Sequence, residues 1–285
     1  MKYAFIKNHE LYYRLEALCE VLGVSRSSYY EWLIGKDDGR AKANQELLIK
    51  IKEVHAASKE VYGYRRVYQA LRVSNLTSSS KNRIYRVMRN NHLFSKTKRK
   101  FRVTTNSRHS LPIAENILNR EFKAVAPNRV WVGDISYIWT KEGWLYLAVV
   151  IDLYSKAVVG WAVSEHLRAK LVADALLQAI WQRQPRTGLV FHSDRGIQYA
   201  SESFKNLLNL YNLILSMSRK GNCWDNAVAE SFFKTIKVEL IYHNCYATRE
   251  EAKTSIFEYI EVFYNRKRLH SSIGYMDPMQ FEVAA

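Results

Sequence analysis

Asp134, Asp194 and Glu230 are the side chains of this 285-residue sequence whose settings suit chemistry. Asp134 stands in the middle of the apolar run "VWVGDISYIW", where an isolated charge costs several kcal/mol or is driven to neutrality. Gly133 beside it lets another backbone, or a ligand, come close. Asp194 ends "GLVFHSD" and is followed at once by Arg195 and Gly196, so solvent or a ligand must wait at that strand tip. Glu230 lies in "NAVAESFFKTIKVEL", where a 3.6-residue repeat places Glu230, Lys234 and Lys237 on one face and spreads Phe232, Phe233 and Ile236 over others. Two strand carboxylates and one helix carboxylate that converge must repel, and a hard divalent cation is the natural counter-charge. Magnesium, held by few carboxylates plus water and phosphate oxygens, fits best. Other assignments compete. Asp152 is also a strand-end carboxylate, Asp225 suits a helix N-cap, Glu239 falls about half a turn round from Glu230 on a solvated side, and His192 reads as a satisfied histidine beside the site.

The elements that must position these groups are legible in hydrophobic periodicity. From Val130 onward "VWVGDISYIW", "GWLYLAVVIDLYS" and "KAVVGWAVS" read as three strands. An amphipathic helix over 168–183, a strand at "GLVFHSD", a helix over 201–211, a strand at "LILSMS" and a helix from about Asn226 to Leu240 follow. Three strands, then helix, strand, helix, strand, helix, make an α/β sandwich on a mixed five-stranded sheet.

The N-terminal part has another texture. In "LYYRLEALCEVLGVSRSSYYEWL" Leu15, Leu18, Val21 and Leu22 recur at helical spacing, Gly23 permits a tight turn, and Ser25 can cap a second helix. That is a helix-turn-helix pattern over residues 1–40, with Arg26, Ser27, Ser28 and Tyr30 as candidates for its DNA-facing side. Residues 41–95 form a second helical unit, whose last helix sets Arg83, Arg86 and Arg89 in a stripe suited to phosphate contacts. In "KTKRKFR" five of seven residues are basic, Lys98, Arg99 and Lys100 among them, opening a basic linker over 96–125.

Charge follows the same division. Residues 1–125 carry 25 basic against 11 acidic side chains, net +14, and residues 126–285 carry 18 against 16, net +2. A basic module for a polyanion beside a nearly neutral module points to nucleic acid. No run of eighteen apolar residues exists, which excludes a spanning helix, and "MKYAFIKNHE" lacks the apolar stretch of a signal peptide. Cys19, Cys223 and Cys245 lie far apart and match neither a disulfide framework nor a paired zinc spacing, which suits a reducing cytoplasm.

The phrases "WVGDISYI", "WLYLAVVIDLYSKAVVGW", "FHSDRGIQY", "SMSRKGNCWDNAVAESFFKTIKVEL" and "YIEVFYNRKRLHSSIGYMDP" together resemble bacterial insertion-sequence transposases. The likeness is to the second-reading-frame proteins (OrfB) of two-frame elements with a retroviral-integrase-like core. It covers nearly the whole chain, including "VYGYRRVYQALR". The resemblance implies an RNase H-like core over 126–240, a C-terminal helical extension over 241–285, and a DDE triad of Asp134, Asp194 and Glu230. Thirty-five residues separate the last two of these. It implies phosphoryl transfer with two metal ions about 4 Å apart, Asp134 bridging both, with Mg²⁺ as cofactor and Mn²⁺ able to substitute. Lys237 matches the basic residue set near the donor end, Arg195 shapes a turn near DNA, and Trp224-Asp225-Asn226 match a family signature in which Cys223 and Trp224 pack the loop entering the helix. Arg266, Lys267, Arg268 and His270 are expected to face DNA. The implied partners are element-end DNA and target DNA, a homo-oligomer on DNA, and an upstream-frame protein joined by frameshifting, in a nucleoid-associated, cytoplasmic setting. A DNA-binding regulator, an inactive remnant and a junction-resolving nuclease on the same fold are the alternatives.

Overall fold

The computed structural model describes residues 1–34, 39–96, 112–219 and 223–284. Lys98, Arg99 and Lys100 lie outside the described residues, as do the side chains of Cys223 and Trp224.

Three short helices open the chain: α1 (Lys2–His9), α2 (Leu15–Leu22) and α3 (Arg26–Leu33). Gly23 ends α2 in the left-handed region at φ +61°, which costs a glycine little. Ser25 Oγ then accepts the Ser28 N–H at 3.0 Å and caps α3. Ile6, Cys19 and Tyr29 close a small hydrophobic cluster of their own. The turn and cap match the sequence reading. Helix α1 does not appear in that reading, because its sole buried side chain, Ile6, makes no repeat.

The second helical unit comprises α4 (Gly39–Ala57), α5 (Tyr64–Val73) and α6 (Lys81–Asn90). Leu47, Ile51, Val67, Leu71, Ile84, Val87 and Met88 turn inward, leaving Arg86 and Arg89 outside. These inward residues belong to a cluster that continues onto one face of the sheet.

The sheet is built from β1 (Val130–Thr140), β2 (Gly143–Asp152), β3 (Val158–Ser164), β4 (Val190–Ser193) and β5 (Ile214–Met217), in the order β3-β2-β1-β4-β5. β1 pairs antiparallel with β2, and β2 with β3. β4 runs parallel to both β1 and β5. Helix α7 (Ala169–Arg183) connects β3 to β4, and α8 (Ile197–Ala200) and α9 (Glu202–Leu210) connect β4 to β5. A 3₁₀ turn (Cys223–Asn226) leads into α10 (Ala227–Glu239). α11 (Arg249–Phe257), a π-helical turn (Glu258–Tyr264) and α12 (Pro278–Val283) complete the chain. This is the expected mixed five-stranded sheet in its RNase H-like order.

Alternation along β1 sorts its residues between two layers. Trp131 and Ile135 face the α7–α9 layer, where Phe191, Tyr199 and Phe204 gather. Val132 and Ile138 face the other layer, formed by Phe232, Phe233 and Ile236 of α10 and by Tyr259, Ile260, Phe263 and Tyr264. Asp134 shares the parity of Val132 and so the α10 side. Gly160 lets α7 lie directly on β3, since a Cβ there would stand 2.3 Å from the Ala175 carbonyl oxygen.

Candidate active site

Strand register brings the two aspartates together. Gly133 pairs with Ser193 across the parallel β1–β4 ladder, so Asp134 and Asp194 follow at the same level where β4 ends. Asp134 Oδ1 accepts the Ile135 N–H at 2.8 Å. Asp194 Oδ1 accepts the Gly196 N–H at 2.9 Å, and Ser193 Oγ donates to the Asp194 carbonyl at 3.0 Å. A Cβ at Gly196 would sit 2.9 Å from that same carboxylate oxygen, so the glycine leaves the Asp194 carboxylate its place. Helix α10 carries Glu230 and, seven residues on, Lys237, whose Nζ lies 5.1 Å from the ring centre of Tyr137.

Electrostatics ties the groups to one another. Burial raises Asp134 well above the usual carboxylate range; Asp194 and then Glu230 raise it further, while the Ile135 N–H and Lys237 oppose. Glu230 is raised by loss of water and then by Asp194. Burial lowers Lys237, and Asp134 counters that shift. Tyr199, buried beneath the pair, is raised by burial and by both aspartates. These are three carboxylates that feel each other's charge, with one ammonium nearby. Among the described residues, no three carboxylate, imidazole or thiol groups close on a single point as a formed metal cage. The donors are hard oxygens, and their repulsion is what a divalent cation relieves, so the set fits such an ion.

The surroundings correct several expectations. The space at Gly133 is filled by a side chain: a Cβ would meet Phe191 Cζ at 2.5 Å. Asp225 is no helix cap. It is buried and held by Arg219 and Arg120, each at 2.9 Å, with Asn116 Nδ2 donating at 2.9 Å. The Arg219 hydrogen bond leads in holding it well below the usual carboxylate range. Glu239 is not solvated: its side chain is 8% exposed, 2.7 Å from Arg268, which is 4% exposed. Arg268 therefore cannot face DNA, whereas Arg266 and Lys267 are exposed. Tyr259 and Arg268 lie far from Glu239 in sequence, so helical periodicity could not reveal them.

Other expectations hold. His192 is fully buried between Ser216 Oγ at 2.9 Å and Ser218 Oγ at 3.2 Å, and burial pushes its imidazole down to about 4. Asp152, the competing strand-end carboxylate, is instead a structural acceptor for the N–H groups of Asn128, Tyr154 and Ser155 and for the Trp131 indole. Asn226 Nδ2 donates to the Gly133 carbonyl at 3.3 Å beneath the site, while its buried Oδ1 has no partner among the described residues.

Among the basic candidates, Arg195 Nε donates to the Ser218 carbonyl at 2.6 Å and so braces the loop after β4. Lys234 is exposed on α10. Arg40, Asn44, Arg83, Arg86 and Asn90 line a cleft between α4 and α6, in which Arg83 Nε donates to Asn44 Oδ1 at 2.9 Å. Arg40 and Asn44 are absent from the sequence reading, since only the pairing of α4 with α6 brings them beside the arginine stripe. Arg26 is exposed and ion-paired with Glu16, and Ser27 is exposed.

Comparison with known proteins bears on all of this. Residues 124–223 and 230–284 match two family models, each described as an integrase core domain, and residues 42–101 match an HTH-like domain. The chain is 41% identical over 284 residues to the transposase InsF for insertion sequence IS3A of Escherichia coli (strain K12), covering 99% of this chain and 98% of that protein. It is 44% identical over 264 residues to the insertion element IS600 uncharacterized 31 kDa protein of Shigella sonnei, covering 93% and 97%. Among solved structures, the HTLV-2 integrase catalytic core domain in complex with magnesium (trimeric form) matches at TM-score 0.44 and 17% identity, over 56% of this chain and 99% of that one. No helix among the described residues is long and apolar enough to cross a membrane.

Proposed function

The chain belongs to the family of insertion-sequence transposases typified by IS3, and we infer from that membership that it cuts and joins the DNA of its element at Asp134, Asp194 and Glu230. The observation that carries the assignment is the level meeting of Asp134 and Asp194 at the end of β4, with Glu230 near enough to raise Asp134. The reaction is a phosphoryl transfer: an oxygen of water or of a DNA 3′-hydroxyl bonds to phosphorus as the bond to the leaving 3′-oxygen breaks.

The three carboxylates would hold Mg²⁺, with Mn²⁺ able to replace it. Bound there, the cation supplies charge to the phosphate and eases loss of the nucleophile's proton. The Gly196 N–H fixes the aim of Asp194, and the Ile135 N–H that of Asp134. Lys237 would offer its ammonium to a non-bridging phosphate oxygen. Arg195, Lys234 and the stripe Arg83, Arg86 and Arg89 would follow the DNA backbone, as would Lys98, Arg99 and Lys100 in the linker and Arg26 and Ser27 in the first helical segment. The protein would act in the cytoplasm at the nucleoid, as an oligomer on element ends and target DNA, either alone or fused to an upstream-frame protein.

The test is strand transfer with labelled DNA from the element ends in Mg²⁺ or Mn²⁺. Wild type and Glu230→Gln are compared, each alone and as the upstream-frame fusion. Joined product from wild type and none from the variant is expected. Absence of joined product from either wild-type form, despite folded protein that binds the ends, would overturn the reading in favour of a DNA-binding regulator.

A further inference from the structure

The tip of the β1–β2 hairpin carries aromatic rings that the strand-transfer reading leaves unused. β1 pairs with β4 only as far as Gly133, so residues 134–140 run on past the parallel half of the sheet. Along this overhang, ring contacts run from Lys237 of α10 to the tip. Lys237 feels Asp134 and lies 5.1 Å from the centre of the Tyr137 ring. Tyr137 meets Trp144 edge-on with centroids 5.0 Å apart, and Trp144 meets Trp139 at 4.8 Å. The two indoles end the chain of contacts in solvent, Trp139 58% exposed and Trp144 37%.

Neither indole is placed there by the core. Both would be better buried, yet cross-strand pairing of Trp139 with Trp144 holds them at the tip with their rings fixed against one another. Fixed, exposed rings beside a cationic side chain are what nucleobase stacking requires, because every base has a π-face and its backbone needs positive charge. Distance suits the same use. Tyr137 and Trp139 stand three and five residues from Asp134, about 10 and 17 Å along a strand; odd offsets turn them to the other face of β1, and Lys237, over the Tyr137 ring, links the two faces at the sheet edge. Those distances are roughly three to five base steps of about 3.4 Å. Bases inside a duplex have both faces covered, so such rings take unpaired bases, a blunt duplex offering only the outer faces of its two terminal pairs.

We propose that Trp139, Trp144 and Tyr137 form a stacking platform for unpaired bases of the DNA strand whose reacting phosphate lies at the carboxylates. The proposal rests on the transposase reading above and names how its substrate strand is held. The Lys237 ammonium beside the rings favours nucleic acid over a protein partner as occupant.

The experiment uses the full chain without added metal and a labelled single-stranded oligothymidine against a blunt duplex of equal length, read by fluorescence anisotropy. A 2-aminopurine placed in the single strand reports stacking directly. Trp139→Ala is expected to weaken single-strand binding about tenfold and abolish the 2-aminopurine quench, with duplex affinity held within about twofold. Trp139→Phe, which keeps a ring, should retain both signals. Equal single-strand affinity and quench in wild type and Trp139→Ala would overturn the proposal. So would a change in oligomeric state on Trp139→Ala with DNA affinity untouched, which would assign the rings to a contact between copies. Strand transfer by wild type, measured alongside, separates the two readings. Joined product with unaltered stacking sinks the platform alone, and stacking loss without joined product sinks the transposase reading alone.

Discussion

Glu239 ends α10 facing Arg268, Tyr259 and, at 3.7 Å, Arg66, so three distant segments answer one carboxylate. Removing one side of a buried pair strands the other charge. Glu239→Gln should therefore cost about 3–5 kcal/mol in urea unfolding, and adding Arg268→Met should recover much of it. Next to that pair, Arg268 Nη1 donates to His270 Nε2 at 3.1 Å, which requires a neutral imidazole. Burial first, then Arg268, Arg66 and Lys156, pushes His270 down to about 2. The unfolded imidazole takes its proton near pH 6.5, whereas the folded one refuses it until about pH 2. Stability from this group is thus complete above pH 6.5 and is lost as pH falls, at about 1.4 kcal/mol per pH unit. Buried His192, pushed down to about 4, adds a like contribution, so stability read from denaturation midpoints across pH 6 to 4 should fall at roughly twice that slope and His270→Asn should about halve it.

At the scale of elements, glycines set how closely layers approach beside the site. Alanine at Gly160 would drive a Cβ into the Ala175 carbonyl and the Ala179 backbone, atoms of α7 that cannot swing away. Gly160→Ala should cost about 3 kcal/mol or more, or yield little folded protein, as read by circular dichroism and urea titration. Gly133→Ala meets instead the far end of the Phe191 ring, which can be shortened. That variant should lose about 1–3 kcal/mol, and Phe191→Leu should restore part of the loss, a coupling that a double-mutant cycle would measure. An unaltered stability in Gly133→Ala would mean that β1 and β4 are less tightly layered than their register indicates.

For the whole molecule, the second helical unit and the sheet share one core. Leu47, Ile51, Val67 and Leu71 belong to the same cluster as Phe232, Phe233 and Tyr259. Tyr62 stitches this unit to the C-terminal segment, its hydroxyl donating to the Lys267 carbonyl at 2.9 Å and accepting the Leu269 N–H at 2.8 Å. The first three helices instead close their own small cluster. Deleting residues 1–34 should therefore leave the main thermal transition within a few degrees of the intact chain. Tyr62→Phe should lower the unfolding free energy by about 1 kcal/mol. A scan in which the deletion abolishes that transition would show that the opening helices belong to the main core.

Most of the sheet, and the aspartates at its switch from antiparallel to parallel strands, could be read directly from the sequence, because strand and helix periods are local. Residues two apart share a strand face and residues three or four apart share a helix face, whatever the rest of the chain does. Asp134 amid apolar neighbours and Asp194 at a strand tip were visible on those terms, as were the Gly23 turn and the Ser25 cap. The fates of Asp225, Glu239 and Arg268 were not. Whether a charge is solvated, caps a helix or is buried in a pair depends on partners far away in sequence: Arg120 for Asp225, Arg268 for Glu239, and Arg66 from another layer. The same holds for the aromatic tip beside Lys237, where only the meeting of α10 with β1 sets an ammonium over Tyr137. Local pattern determined which elements form and which carboxylates they carry. Burial and charge, set by contacts across the chain, decided which charged groups are structural and which remain open to a ligand.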